Sequence, residues 1–337
     1  MIANAAVGRS WAQYAAAVLG GLLAGALFLF GAIDYASGPG PGHNAPVVDF
    51  AIMATAFAAA AVASRPVRVW AARFIPIDPD HPVHALALCL AVILFGTQAA
   101  SIAFTDVLAA EQRAPALSIP DLFTQELPFL VLAFAGVGLW IRRELVASST
   151  RLGLVAPAWW HIALALAAAG VFFAASLGAD SLSHLLTPSV AAEVDRTTQH
   201  LFGGLMDSPG LIALALLPGI CEDLLFRGAL QPRLGIVVTA VLFTSIHAEY
   251  GLSIDIPTIF LIAVGLGLIR KYANTTASIT CHVAYNLLVG FGLTGTALYA
   301  GIGVEAVLVA VVGYAFWDRR RRQSAESEAA AQRTGVG

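Results

Sequence analysis

The sequence is poor in charge and almost empty of lysine. Asp, Glu, Lys and Arg make up 12% of its 337 residues, and Lys271 is the single lysine. The net charge is −3, with the basic residues scattered through short connections, so nothing points to a nucleic-acid face. Cysteine is scarce as well. Cys89, Cys221 and Cys281 sit in apolar segments, no pair is spaced like a metal knuckle, and three cannot make a closed disulfide set. They read as small packing residues. No internal repeat is clear enough to use, and no convincing cleavage site follows the first apolar stretch, which therefore reads as a retained helix and not a signal peptide.

What is present is apolar bulk. Hydrophobic residues are 58% of the chain and the mean hydropathy is +0.80, more than a soluble core of this size needs. A membrane-spanning helix takes about 20 mostly apolar residues, because its backbone groups must be satisfied internally. About ten such stretches follow one another, at 13–33, 47–63, 83–104, 122–141, 159–177, 209–230, 234–248, 256–269, 275–293 and 297–317. The expected fold class is therefore an all-α, polytopic transmembrane helical bundle. Arginines in alternate connections (Arg65, Arg68 and Arg73, then Arg142, Arg143 and Arg151, then Arg319 to Arg322) put both termini on the cytoplasmic side. Compact loops and an alanine-rich composition suit a bacterial inner membrane.

The organisation reads as an N-terminal region of four spans (1–145), a second bundle (146–317) and a polar, disordered cytoplasmic tail (318–337). The connection 178–208 mixes apolar with charged positions, and fits an interfacial helix as well as a plain linker.

Ionisable residues within spans are costly and call for a reason. Those with a motif fall in three late stretches. Glu222 and Asp223 precede Arg227, which stacks Asp223 and Arg227 on one helix face. Phe243 and His247 are a turn apart, as are His282 and Asn286. Counted from the expected cytoplasmic ends, Glu222 and His282 are level and His247 lies about 8 Å deeper at 1.5 Å per residue. A carboxylate and a histidine sharing a water can activate it toward a carbonyl, while a second histidine and an asparagine donate to the oxyanion. That outlines an amide hydrolase. The same Glu222, His247 and His282 would equally suit a divalent zinc that acidifies its water, and both routes are open at this point.

At these residues the chain resembles the CPBP family of intramembrane proteases, which includes the CAAX prenyl proteases and many bacterial Abi-type proteins. The family pattern is Glu-Glu-x-x-x-Arg, then Phe-x-x-x-His, then His-x-x-x-Asn, and Glu222, Arg227, Phe243, His247, His282 and Asn286 match it in order. Arg151, Leu152, Gly153 and Leu154, the run Phe226, Arg227 and Gly228, and the pair Gln231 and Pro232 add to the likeness, which covers roughly 151–295. Asp223 stands where the family has a second Glu, and the interval from Arg227 to His247 is short for it.

The resemblance implies hydrolysis of a peptide bond in a membrane-associated peptide or protein. It makes Glu222 the general base, with His247 assisting or sharing a metal, and His282 with Asn286 the oxyanion donors. Asp223 and Arg227 then position the acidic helix. The rival readings are a polytopic transporter, or a non-catalytic scaffold or immunity protein, using the same polar residues.

Overall fold

A computed structural model describes residues 1–38, 40 and 43–333, and among these every regular element is helical. The order is α1 (Ile2–Ala5), α2 (Ala12–Ser37), α3 (Pro46–Ala63), α4 (Arg65–Ala71), α5 (Pro82–Phe104), α6 (Val107–Arg113), α7 (Ile119–Val137), α8 (Leu145–Leu152), α9 (Trp159–Leu186) and α10 (Pro188–Phe202). It continues through α11 (Ser208–Asp223), a π-helical segment (Leu224–Leu230), α12 (Gln231–Ser245), α13 (Asp255–Tyr272), α14 (Thr275–Phe291) and α15 (Gly295–Arg333). Every apolar stretch expected from the sequence coincides with one of these helices. Among the described residues six paths are long and apolar enough to cross a membrane: α2, α3, α5, α9, the run Ser208–Ser245 and most of α15. The protein is an integral membrane protein built of helices.

Local chemistry sets the ends. Short polar side chains take up the first free backbone N–H groups: Asp106 accepts from Ala109 at 3.0 Å, Asp207 from Gly210 at 2.9 Å and Asn274 from Ala277 at 2.8 Å. Left-handed glycines stop α7 at Gly138 and α8 at Gly153. Close packing of α2, α3 and α5 depends on small residues. A Cβ on Gly20 would sit 2.9 Å from that of Ala63, and one on Gly96 would strike Thr55.

The main core joins both halves of the chain. Leu88 and Ala91 of α5 and Ala133 and Val137 of α7 pack with Leu152, Phe226, Leu234, Leu242, Phe243 and Ala263. It therefore crosses the boundary drawn at 145/146. The connection 178–208 is helical almost throughout, since α9 runs on to Leu186 and α10 buries Ala191, Val194, Thr197 and Leu201. Helix α15 runs on into the tail as far as Arg333, over a stretch rich in Arg, Ala, Glu and Gln, all strong helix formers. Residues 334–337 of that tail lie outside the described residues.

One feature positions the site. The helix that begins at Ser208 does not end near Leu230 but continues through the π-helical segment to Leu234, where Gly235 (φ 80°, ψ 169°) reverses the chain. Only a residue without a Cβ takes that conformation cheaply. Phe243 then comes back against Phe226 (ring centroids 5.4 Å) and over the Arg227 guanidinium (4.0 Å). Asp223 precedes the turn by twelve residues and His247 follows it by twelve.

Candidate active site

Equal arms bring His247 level with Glu222 and Asp223. The depth difference of about 8 Å expected at 1.5 Å per residue is therefore corrected. It assumed a shorter first arm, whereas the turn lies at Gly235. The π-helical segment directly follows the acidic pair, and such widened turns recur at functional sites.

Asp223 is the hub. Its side chain is fully buried, and Oδ1 meets Arg227 Nη1 at 2.9 Å and His282 Nδ1 at 3.2 Å. The pair with Arg227 was legible in the i, i+4 spacing. The bond to His282 was not, because it crosses from α11 to α14. A carboxylate on Nδ1 fixes the ring and aims Nε2 at Glu222, whose Oε2 is 4.0 Å away. Glu222 itself is 6% exposed.

Phe243 is the floor. Its ring lies against His247 (4.7 Å) and His282 (5.9 Å) and beneath Arg227. His247 Nδ1 is 2.9 Å from the Phe243 carbonyl. A carbonyl can only accept, so Nδ1 donates, and in the neutral ring Nε2 is the free basic atom. Asn286, one turn beyond His282 on the same helix, is half-buried, and its side chain makes no hydrogen bond among the described residues, leaving its amide available. Asp223 Oδ2 and Arg227 Nη2 are buried and also lack hydrogen-bond partners.

Two acids escaped the sequence reasoning. Glu126 lies inside the apolar stretch of α7, is 7% exposed, and its Oε2 has no partner. Helix α7 runs in a fixed register beside the helical run that α11 begins: Phe129 meets Phe226 of the π-helical segment (6.0 Å), and the Gly136 carbonyl meets the Arg233 side chain at the start of α12 (3.5 Å), an offset of 97 each time. The same offset sets Glu126 beside Asp223 and Glu222, and its charge acts on Glu222 and Cys221. The signal was a lone acid in a hydrophobic run, with no motif around it. Glu249, in the 3-10 turn after His247, also acts on Glu222, and burial pushes its own carboxyl upward while His247 opposes this.

Zinc ligands at about 2.0–2.2 Å sit close to one another. Among the described residues the trio whose ligand atoms all lie within 4.8 Å of one another is Asp180, His184 and Asp195, all exposed, and not Glu222, His247 and His282. Glu222, His247 and His282 are not drawn within that span of one another in this arrangement.

Residues 205–288 match the model of a family described as type II CAAX prenyl endopeptidase, Rce1-like. The segment is CAAX protease-like. It contains α11, the π-helical segment, α12, α13 and most of α14, and with them every residue of the constellation from Glu222 to Asn286. No curated protein and no solved structure matches the chain.

Proposed function

We propose that this protein is an intramembrane endopeptidase of the CAAX-protease type, which hydrolyses a peptide bond in a membrane-associated peptide or protein. The observation that carries the reading is the shared Asp223 carboxylate. It holds Arg227 and His282 at once and leaves His282 Nε2 4.0 Å from Glu222, on the level of His247. In this reading Glu222 is the general base for the attacking water, with the free Nε2 of His247 assisting. His282 gives its Nδ1–H to Asp223, so it can present an Nε2–H to the developing oxyanion only as the imidazolium, a form the Asp223 carboxylate favours; the Asn286 amide is the second donor. Asp223 and Arg227 are positioning residues. Glu126 closes the acidic side from the N-terminal half of the chain.

The membrane frame that suits these roles has ten crossings with both termini cytoplasmic, in a bacterial inner membrane. The shorter helices α7, α13 and α14, at 17–19 residues, make up the crossings beyond the longest ones. Water then reaches the constellation from one end of the bundle.

The test is cleavage of a pooled set of membrane-anchored peptides by purified protein in detergent, with Glu222→Ala and His247→Ala beside wild type. Cleavage by wild type alone, with both variants folded, is the expected result. Equal inertness of all three sinks the protease reading in favour of a transporter or a scaffold. A chelator arm decides between bare water and a divalent ion held by Glu222, His247 and His282.

A further inference from the structure

A second polar cluster lies at the opposite end of α7 from Glu126's neighbourhood. Arg143 Nη1 donates to the Val137 carbonyl at 2.5 Å, and Arg233 Nη2 reaches the Gly136 carbonyl at 3.5 Å, so two guanidinium groups meet at the last carbonyls of one helix. Arg142 adjoins them in sequence, and Arg151 closes the far end of α8. The charges that act on Arg233 are those of Arg151, Arg143 and Arg142, with no carboxylate among them. None of the four forms an ion pair among the described residues.

Arg233 is the anomaly. It is 6% exposed and its Nε has no hydrogen-bond partner. The end of a helix carries only about half a negative charge, which cannot balance four guanidinium groups. Its Nη1 donates to the Ala229 carbonyl one turn back and its Nη2 reaches Gly136, so backbone carbonyls alone hold this buried guanidinium among like charges. Nearby, Ser148 Oγ on α8 is also buried without a partner.

The apolar surroundings are equally specific. Trp140 is the one non-glycine residue with positive φ (58°) among the described residues, and it is 80% exposed. Its N–H donates to the Arg143 carbonyl at 2.8 Å, closing the tight turn that carries Arg142. A bulky residue in that backbone region is disfavoured, yet the turn holds the Trp140 ring out at the surface. Leu145 and Val146 on the outer face of α8 are exposed beside it, while Ser148 and Leu152 face inward. Tryptophan next to arginine on an exposed amphipathic turn is the composition of a membrane–water interface.

We propose that Arg142, Arg143, Arg151 and Arg233 form a binding site for the phosphate of an anionic phospholipid headgroup, with Trp140, Leu145 and Val146 seated among its acyl chains. Guanidinium groups recognise phosphate in a forked, charge-assisted geometry, and basic pockets between membrane helices suit anionic headgroups. The apolar rim selects a lipid over a free anion.

The experiment is a thermal-unfolding titration of the full chain in a neutral detergent with phosphatidylglycerol, phosphatidylcholine or inorganic phosphate. Phosphatidylglycerol alone should raise the midpoint in a saturable way. Arg142→Gln and Arg151→Gln, each outside the tight packing, should weaken that effect by roughly tenfold apiece, the worth of one charge-assisted contact. Trp140→Gly should leave the lipid-free midpoint unchanged or higher, since glycine suits the left-handed backbone, while still weakening the lipid effect. Arg320→Gln on α15, another basic position, should leave the lipid response as in wild type. Equal shifts with phosphatidylcholine, or lipid responses unaltered in Arg142→Gln and Arg151→Gln, overturn the site. A shift with inorganic phosphate that Trp140→Gly does not touch overturns the lipid assignment in favour of a free anion.

Discussion

Asp223 serves two partners with one oxygen, which makes stability and catalysis separable. Replacing it with leucine strands the Arg227 guanidinium, 2.9 Å away and buried. Breaking a buried pair from one side costs about 3–5 kcal/mol. Removing both charges at once, as Asp223→Leu with Arg227→Met, leaves no orphan, and apolar replacement of a whole buried pair is often neutral. The double variant should therefore regain most of the stability that the single one loses. It does not regain the 3.2 Å contact that orients His282. Loss of such an orienting carboxylate costs roughly 10–100-fold in function. The expected pattern is a thermal midpoint near wild type for the double variant, with kcat on a cleaved peptide still down by about that factor. A double variant that recovers both midpoint and kcat would refute the claim that Asp223 orients His282. A double variant as unstable as the single one would refute the assignment of the pair.

Three further outcomes follow from the packing. Glu126→Leu and Glu222→Gln should be non-additive in unfolding free energy by about 0.5–3 kcal/mol, as neighbours are, and additivity would separate them. Gly228 lies against the Leu152 carbonyl, where an added Cβ would stand at 2.9 Å. Gly228→Val should therefore cost about 1–3 kcal/mol by overpacking and lower the midpoint, whereas a valine tolerated there would contradict the close approach of α8 to the π-helical segment. At Gly235, φ of 80° makes alanine strained, so Gly235→Ala should destabilise by about 1 kcal/mol or more and reduce cleavage along with stability. Unchanged unfolding would mean that the reversal lies elsewhere.

Much of this molecule was legible in the sequence. Apolar runs found the helices, because lipid forces each crossing to satisfy its own backbone. The spacings i, i+4 found the pair of Asp223 with Arg227 and the shared face of His282 with Asn286, since helical geometry is local. What the sequence hid was everything carried between helices. The contact of Asp223 with His282 joins positions 59 residues apart, and no periodicity encodes it. Glu126 was hidden for the same reason, standing alone in an apolar run 97 positions before Asp223, the offset at which α7 packs on the helical run from Ser208. Gly235 was visible as a glycine, but its role as the turn depends on the π-helical segment that carries the first arm past Leu230.

That turn also gives the constellation a ruler. Glu222 and Asp223 on one arm and His247 on the other are fixed by counting residues to a single glycine, so their alignment is insensitive to the lengths of the outer loops. One residue added to either arm would shift its side chains by about 1.5 Å along the axis and swing them by about 100°, turning a catalytic group toward lipid. Natural or designed length changes should thus be accepted in the connections before Ser208 and after His247, and refused within 224–246, a span of chain that behaves as a caliper with its hinge at Gly235.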